Sequence, residues 1–208
     1  MTAKEYECRT SEKNESKKNS IYGNNLFEEV KRYGLQGKSI AKKTDFEVIH
    51  AHDWLTYEAG INAKKVSGKP LVIHVHATEF DRTGGHVNQY VYDIEKRGMK
   101  EADKIIAVSN FTKNKVITHY GINPEKIDVV HNAVEFNKND FKEEKFNIKE
   151  KDKIVLFLGR ITIQKGPDYF LEAAKKVLEL ESDVKFIVAG SGDMENFMIE
   201  KAADMGIA

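Results

Sequence analysis

The sequence predicts an α/β fold built on parallel sheets and divided into two units. Two observations carry that expectation. Short apolar runs rich in strand formers alternate with segments whose apolar residues recur at helical spacing, the pattern of a parallel sheet covered on both faces. A stretch rich in Lys, Glu, Asn and Asp at 136–152 interrupts this alternation and has little to bury, so it reads as a link between the units.

Taken in order, residues 1–20 are dominated by Lys, Glu, Ser, Asn and Thr and predict a disordered arm. A helix is expected from Leu26-Phe27-Glu28-Glu29-Val30 onward. Strands follow at Phe46–His52, Pro70–His76, Lys104–Ser109 and Lys126–Asn132, with helices over Thr56–Val66, Val87–Glu101 and Thr112–Tyr120 between them. These elements define a first domain at 21–135. The second, at 153–208, has strands at 153–158 and 184–189 and a helix over Pro167–Leu178. Two strands are few for a doubly wound sheet, so the second domain is expected to be incomplete. Self-association through exposed sheet edges is the corresponding expectation.

Composition narrows the function classes. The chain has 208 residues, 40% of them hydrophobic, enough for one or two compact cores. Thirty-three basic and thirty-three acidic residues cancel, which argues against nucleic acid or an anionic membrane as the main partner. Cys8 is the single cysteine, so no internal disulfide can form and a reducing compartment fits. No apolar run reaches the ~20 residues that span a bilayer and no signal-peptide core stands at the N-terminus. A cytoplasmic protein is the expectation.

The most informative segment is Gly159-Arg160-Ile161-Thr162-Ile163-Gln164-Lys165-Gly166, because it joins the strand at 153–158 to the helix at 167–178. Ligands bind at the carboxyl ends of strands in open α/β sheets, beside helix N-termini that favour anions. There Arg160 offers a planar fork for phosphate oxygens and Lys165 a mobile point charge, a pair that can share the two phosphates of a nucleotide. The competing reading is two solvated loop cations.

His50, His52, Asp53, His74, His76 and Glu79 cluster at the ends of two neighbouring strands. Strand alternation puts His50 and His52 on one face, and His74 with His76 likewise. Such a set can catalyse, can ligate zinc, or can consist of satisfied polar residues at a strand end; His50 and His74 are read as structural. Asp53 either faces the site or caps the following helix, and Trp54 is read as core. Gly190-Ser191-Gly192 admits close backbone approach to a ligand or is a plain tight turn. The polar run from Asp81 to His86 reads as a mobile loop over the cleft.

Several of these pieces, in order, resemble the retaining glycosyltransferases of family 4. Gly159 to Asp168 resembles the family's diphosphate-binding signature; Val48 to Trp54 its acceptor-domain motif; Val75 to Glu79 its active-site histidine loop. Ile106 to Thr112 and Val129 to Glu135 resemble the last strand ends before the domain crossover, and Val188 to Asp193 the turn after the donor domain's second strand. The run from His76 to Glu95 looks like the glycogen and starch synthase-like branch.

The resemblance implies two Rossmann-like domains of the GT-B type, the first on the acceptor side and the second binding a nucleotide-diphosphate sugar. It implies transfer of a hexose, glucose by the branch resemblance, to a glycan acceptor with retention of configuration. Arg160 and Lys165 would hold the donor diphosphate, Gly190 and Gly192 would lie on the nucleoside side, and His76 with Asp53 would be catalytic. No metal and no cofactor beyond the donor substrate is implied, because the two cations neutralise the leaving diphosphate. The family's N-terminal glycine-rich loop and C-terminal glutamate motif are not found in this sequence, so the chain reads as a fragment. A non-catalytic nucleotide-sugar-binding or scaffold remnant is the alternative, and a metal hydrolase a distant third.

Overall fold

The computed structural model describes residues 25–135 and 153–208. The expected arm at 1–20 and link at 136–152 lie outside the described residues. Four strands, β1 (Ile49–His52), β2 (Leu71–Val75), β3 (Lys104–Ala107) and β4 (Ile127–Val129), form one sheet in the order β1-β2-β3-β4, with every pairing parallel. A second sheet pairs β5 (Lys153–Leu158) with β6 (Val184–Ala189), also parallel.

The first core follows from strand alternation. Leu71, Ile73 and Val75 of β2 and Ile105 and Ala107 of β3 are fully buried. They pack with Tyr57 and Ile61 of α2 (Trp54–Ser67) and Val91, Ile94 and Met99 of α4 (Gln89–Glu101). Helix α1 (Leu26–Ala41) lies along α2, and α5 (Asn110–Tyr120) packs on β3 and β4. Between β2 and α4 the chain makes one helical turn, α3 (Glu79–Arg82). On the other face of the β1–β2 pair stand His50, His52 and His74, which are exposed or half-buried.

The second unit carries α6 (Pro167–Leu178) and α7 (Glu195–Asp204). Phe170 of α6 sits between Phe157 and Phe186, with ring centroids 5.5 and 5.7 Å away. Ile161, Leu171 and Met198 complete a small core.

Most element boundaries move by a few residues, each for a local reason. The strand expected from Phe46 pairs only from Ile49, which is where β2, its one neighbour among the described residues, begins at Leu71. The strand expected from Lys126 starts at Ile127 because Pro124–Lys126 forms a 3-10 turn capped by the Asn123 side chain. Helix α4 starts two residues later than its apolar pattern, where Asn88 Oδ1 accepts from the backbone of Tyr90 and Val91. Within the segment at 81–86, Asp81 and Arg82 belong to α3 and both are bound by side-chain hydrogen bonds.

Candidate active site

Carboxyl ends of the four parallel strands gather the polar residues of the first unit. The chain leaves β1 through Asp53, which has φ 55° and ψ 170°. That region is occupied almost only by glycine and costs about 1–3 kcal/mol for another residue. Asp53 stands at the N-cap position of α2, yet its carboxylate makes no cap hydrogen bond. Instead Asp53 Oδ1 accepts from the backbone N–H of His76 at 2.9 Å and, more weakly, of Ala77 at 3.5 Å. The strained residue thereby ties the end of β1 to the end of β2.

His76 is half-buried, with Nε2 2.9 Å from His52 Nδ1 and Nδ1 3.5 Å from the side-chain nitrogen of Asn132. Asn132 comes from the segment after β4, where its neighbour His131 bonds through Nδ1 to the Val108 carbonyl at 3.1 Å. Four imidazoles stack along this edge, with the His74 ring 4.2 Å from His76 and 4.9 Å from His52. Burial, then the neighbouring imidazoles of His76, His52 and His50, push His74 down to about 4. Burial, followed by His50 and His76, likewise lowers His52. Neutral rings therefore predominate at these two positions at neutral pH.

A buried charge network supports the loop that follows. Glu95, 1% exposed, accepts from the backbone N–H of Glu79 at 3.1 Å and from the Arg82 guanidinium and the Tyr120 hydroxyl. Burial raises its carboxyl, while Tyr120 and Arg82 hold it partly down. Arg82 also donates to the Ala77 carbonyl at 2.7 Å and to Glu79 at 3.2 Å. Asp81 closes the turn by accepting from the Thr78 N–H and hydroxyl, both at 2.8 Å, and pairs with Lys115. Residues 77–82, directly after His76, are thus fixed at both ends. Of this network the sequence points to Glu79, as part of the cluster at the strand ends, and to Asp81 and Arg82, as loop residues; nothing in it pairs them with Glu95, Tyr120 or Lys115, or places Asn132 beside His76.

In the second unit, β5 ends at Leu158 and the chain turns through Arg160 and the 3-10 segment Ile163–Lys165 into α6, with Pro167 at its first position. Arg160 and Lys165 are both exposed, and neither makes a salt bridge among the described residues. The turn is braced by β6: Gly159 N donates to the Ala189 carbonyl at 3.0 Å and Ile161 N to the Ser191 carbonyl at 2.9 Å. Gly190 and Gly192 are required by this contact. A Cβ on Gly190, at φ 149°, would lie 1.8 Å from the Gly159 carbonyl oxygen, and one on Gly192 2.1 Å from that of Ile161. The same turn meets the first unit, where a Cβ on Gly84 would come within 3.1 Å of Ile163 Cδ1.

Two parallel α/β units, each with its polar residues on the strand-end loops and one loop of each in contact, define a fold of the GT-B type. The sucrose-phosphate synthase structure of Thermosynechococcus elongatus shares that fold, with a TM-score of 0.70 at 16% identity over 88% of this chain and 49% of the other. The Glycosyltransferase Family 4 model matches residues 12–138 and the Glycosyl transferases group 1 model residues 138–208; the chain belongs to Glycosyltransferase Family 4.

Among curated relatives, an uncharacterized glycosyltransferase of Methanocaldococcus jannaschii is 33% identical over 174 residues, 78% of this chain and 44% of the relative. The UDP-Gal:alpha-D-GlcNAc-diphosphoundecaprenol alpha-1,3-galactosyltransferase of Escherichia coli is 32% identical over 168 residues, 76% and 43% of the two chains. Glycogen synthase of Mycobacterium tuberculosis is 24% identical over 177 residues, 82% and 42%. The chain spans less than half the length of these relatives. The identity to glycogen synthase is lower than that to the galactosyltransferase, so the glycogen synthase-like branch has weak support beside the family itself.

Proposed function

We propose that the chain carries the donor-diphosphate and histidine-loop elements of an enzyme that moves a hexose from a nucleotide-diphosphate sugar to a glycan acceptor with retention of configuration. The observation that carries this reading is the pair Arg160 and Lys165, exposed and without an ion-pair partner among the described residues, on the turn that feeds the N-terminus of α6. Family membership agrees with it.

In this reading Arg160 and Lys165 neutralise the charge that grows on the diphosphate as the bond to the sugar breaks, the work a divalent ion does in metal-dependent transferases. Transfer is then metal-independent. His76 meets the sugar or the reacting carbon, with its ring held through His52 and its backbone N–H through Asp53. The Asp53 carboxylate, already committed to that N–H, acts by placing the His76 loop and can turn its second oxygen toward sugar hydroxyls. Gly190 and Gly192 lie on the nucleoside side, their backbone left bare by the same absence of Cβ that lets the two turns pack. Residues 21–135 form the acceptor-side domain, 136–152 the link and 153–208 the donor domain. In this reading the sugar is glucose and the location the cytoplasm.

The test is calorimetric titration of the chain, and of Arg160→Ala and Lys165→Ala, with ADP-glucose, UDP-glucose and GDP-mannose in EDTA. Hydrogen bonds to charged groups are worth about 1.5–3 kcal/mol, so either substitution should weaken binding roughly tenfold to a hundredfold. Binding of all three donors that is indifferent to both substitutions, or binding that EDTA abolishes, would overturn the assignment.

A further inference from the structure

We propose that His50, His52 and His74 form a binding site for one divalent transition-metal ion of the zinc or cobalt type on the open face of the β1–β2 pair. The site goes beyond the transferase reading, and no step of that reading uses the ion.

Three observations carry the site. Strand alternation and register bring the rings together: His50 and His52 are two residues apart on β1, and His52 lies opposite His74 on β2. Ring centroids are 4.3 Å apart for His50 and His52, 5.4 Å for His50 and His74, and 4.9 Å for His52 and His74. One nitrogen from each of these rings lies within 4.8 Å of the others. Zinc–imidazole bonds of about 2.0–2.1 Å require nitrogens roughly 3.3 Å apart in a tetrahedral site. The His50 and His74 rings are nearly parallel, 3° apart, so ligation also requires His50 to turn, which its exposure permits.

The second observation is that both ring nitrogens of His74 are buried and have no hydrogen-bond partner. A buried imidazole ordinarily satisfies both. A cation at the His50–His52 side would take the lone pair of one of them. The third is the arrangement of His52, whose Nδ1 faces His76 Nε2 at 2.9 Å and leaves Nε2 available. Ligating histidines almost always spend their second nitrogen on such an outer hydrogen bond, which fixes the tautomer. Asp53, the carboxylate nearest in sequence, has Oδ1 engaged by the His76 N–H. The donor set is therefore three imidazoles with a fourth position open to water, which suits zinc, cobalt or nickel and disfavours calcium or magnesium.

The experiment uses the untagged full chain, stripped with chelator and titrated with Zn2+ by calorimetry and with Co2+ by visible absorption. One equivalent should bind, with the d–d bands of a low-coordinate nitrogen site for Co2+. His50→Gln and His74→Gln should each weaken binding at least tenfold, while His119→Gln should leave it unchanged. Imidazole NMR signals of the unsubstituted chain, followed during the Zn2+ titration, report the ligands without any variant. Shifts confined to His50, His52, His74 and the neighbouring His76 support the site. Absence of stoichiometric binding by folded protein, or binding that moves His119 or His131 instead, would overturn it.

Discussion

At the scale of single residues, Asp53 is the one non-glycine position with positive φ among the described residues. Its backbone occupies a glycine-like region while its side chain reaches away from the helix it precedes, to the N–H of His76. Strain of that kind persists only where surrounding contacts impose it, and it clusters at functional positions. Two substitutions separate the strain from the hydrogen bond. Asp53→Ala loses the bond and keeps the strained backbone, so it should cost about 1–3 kcal/mol of stability. Asp53→Gly loses the same bond and relieves the strain, so it should be the more stable of the two by about 1 kcal/mol or more. Urea unfolding of both variants measures the difference, and equal stabilities would mean that the strain is not there. Neither variant should hold the His76 loop as the parent chain does, which amide exchange at His76 and Ala77 would report as faster opening.

Elements were more legible in the sequence than the contacts between them. All six strands and most of the long helices follow from apolar periodicity and strand formers, because each buries one face in a core that periodicity describes. Helix α7 did not, and its packing explains why: Met198 is buried, but Phe197 and Ile199 beside it are 47% and 61% exposed, so no apolar stripe marks the segment. Of the site, Arg160, Lys165, His76 and Asp53 stood out by residue type and position at strand ends. The groups around His76 did not: Asn132 reaches it from the segment after β4, and Glu95 and Tyr120, which fix the loop that follows it, come from α4 and α5. Gly98 shows the same limit within a helix. Periodicity treats it as a weak point of α4, whereas a Cβ there would lie 2.5 Å from Tyr57 Cδ2 and 2.9 Å from Tyr57 Cβ on α2. Gly98→Ala should therefore destabilise the chain by about 1–3 kcal/mol through overpacking, against the ~1 kcal/mol that helix propensity alone would add. A raised urea midpoint for that variant would show that α2 and α4 are free to separate.

For the molecule as a whole, the question is what its exposed apolar sheet surface does in water. In the second unit Phe157 faces Phe170, so alternation turns Leu156 and Leu158 to the opposite side, where they are 55% and 78% exposed. Ile187, the neighbour of Leu156 on β6, is 42% exposed. In the first unit, β1 has β2 as its single partner among the described residues, and Phe46, Val48 and Ile49 line a groove with Tyr33 and Ile40 of α1 beside it. No helix among the described residues is long and apolar enough to cross a membrane. Unpaired edges and contiguous apolar faces favour association, and a net charge of zero supplies no long-range repulsion to oppose it. The chain should therefore self-associate, its mass by light scattering rising with concentration. Leu156→Lys together with Leu158→Lys should shift that equilibrium toward monomer while leaving the first core, which neither residue touches, folded. Because β1 lies in the other unit, the double substitution also apportions the effect: full recovery of monomer assigns association to the β5–β6 face, and partial recovery leaves a share to the edge of β1. A monodisperse monomer for the unsubstituted chain at every concentration would show that neither surface is sticky in solution.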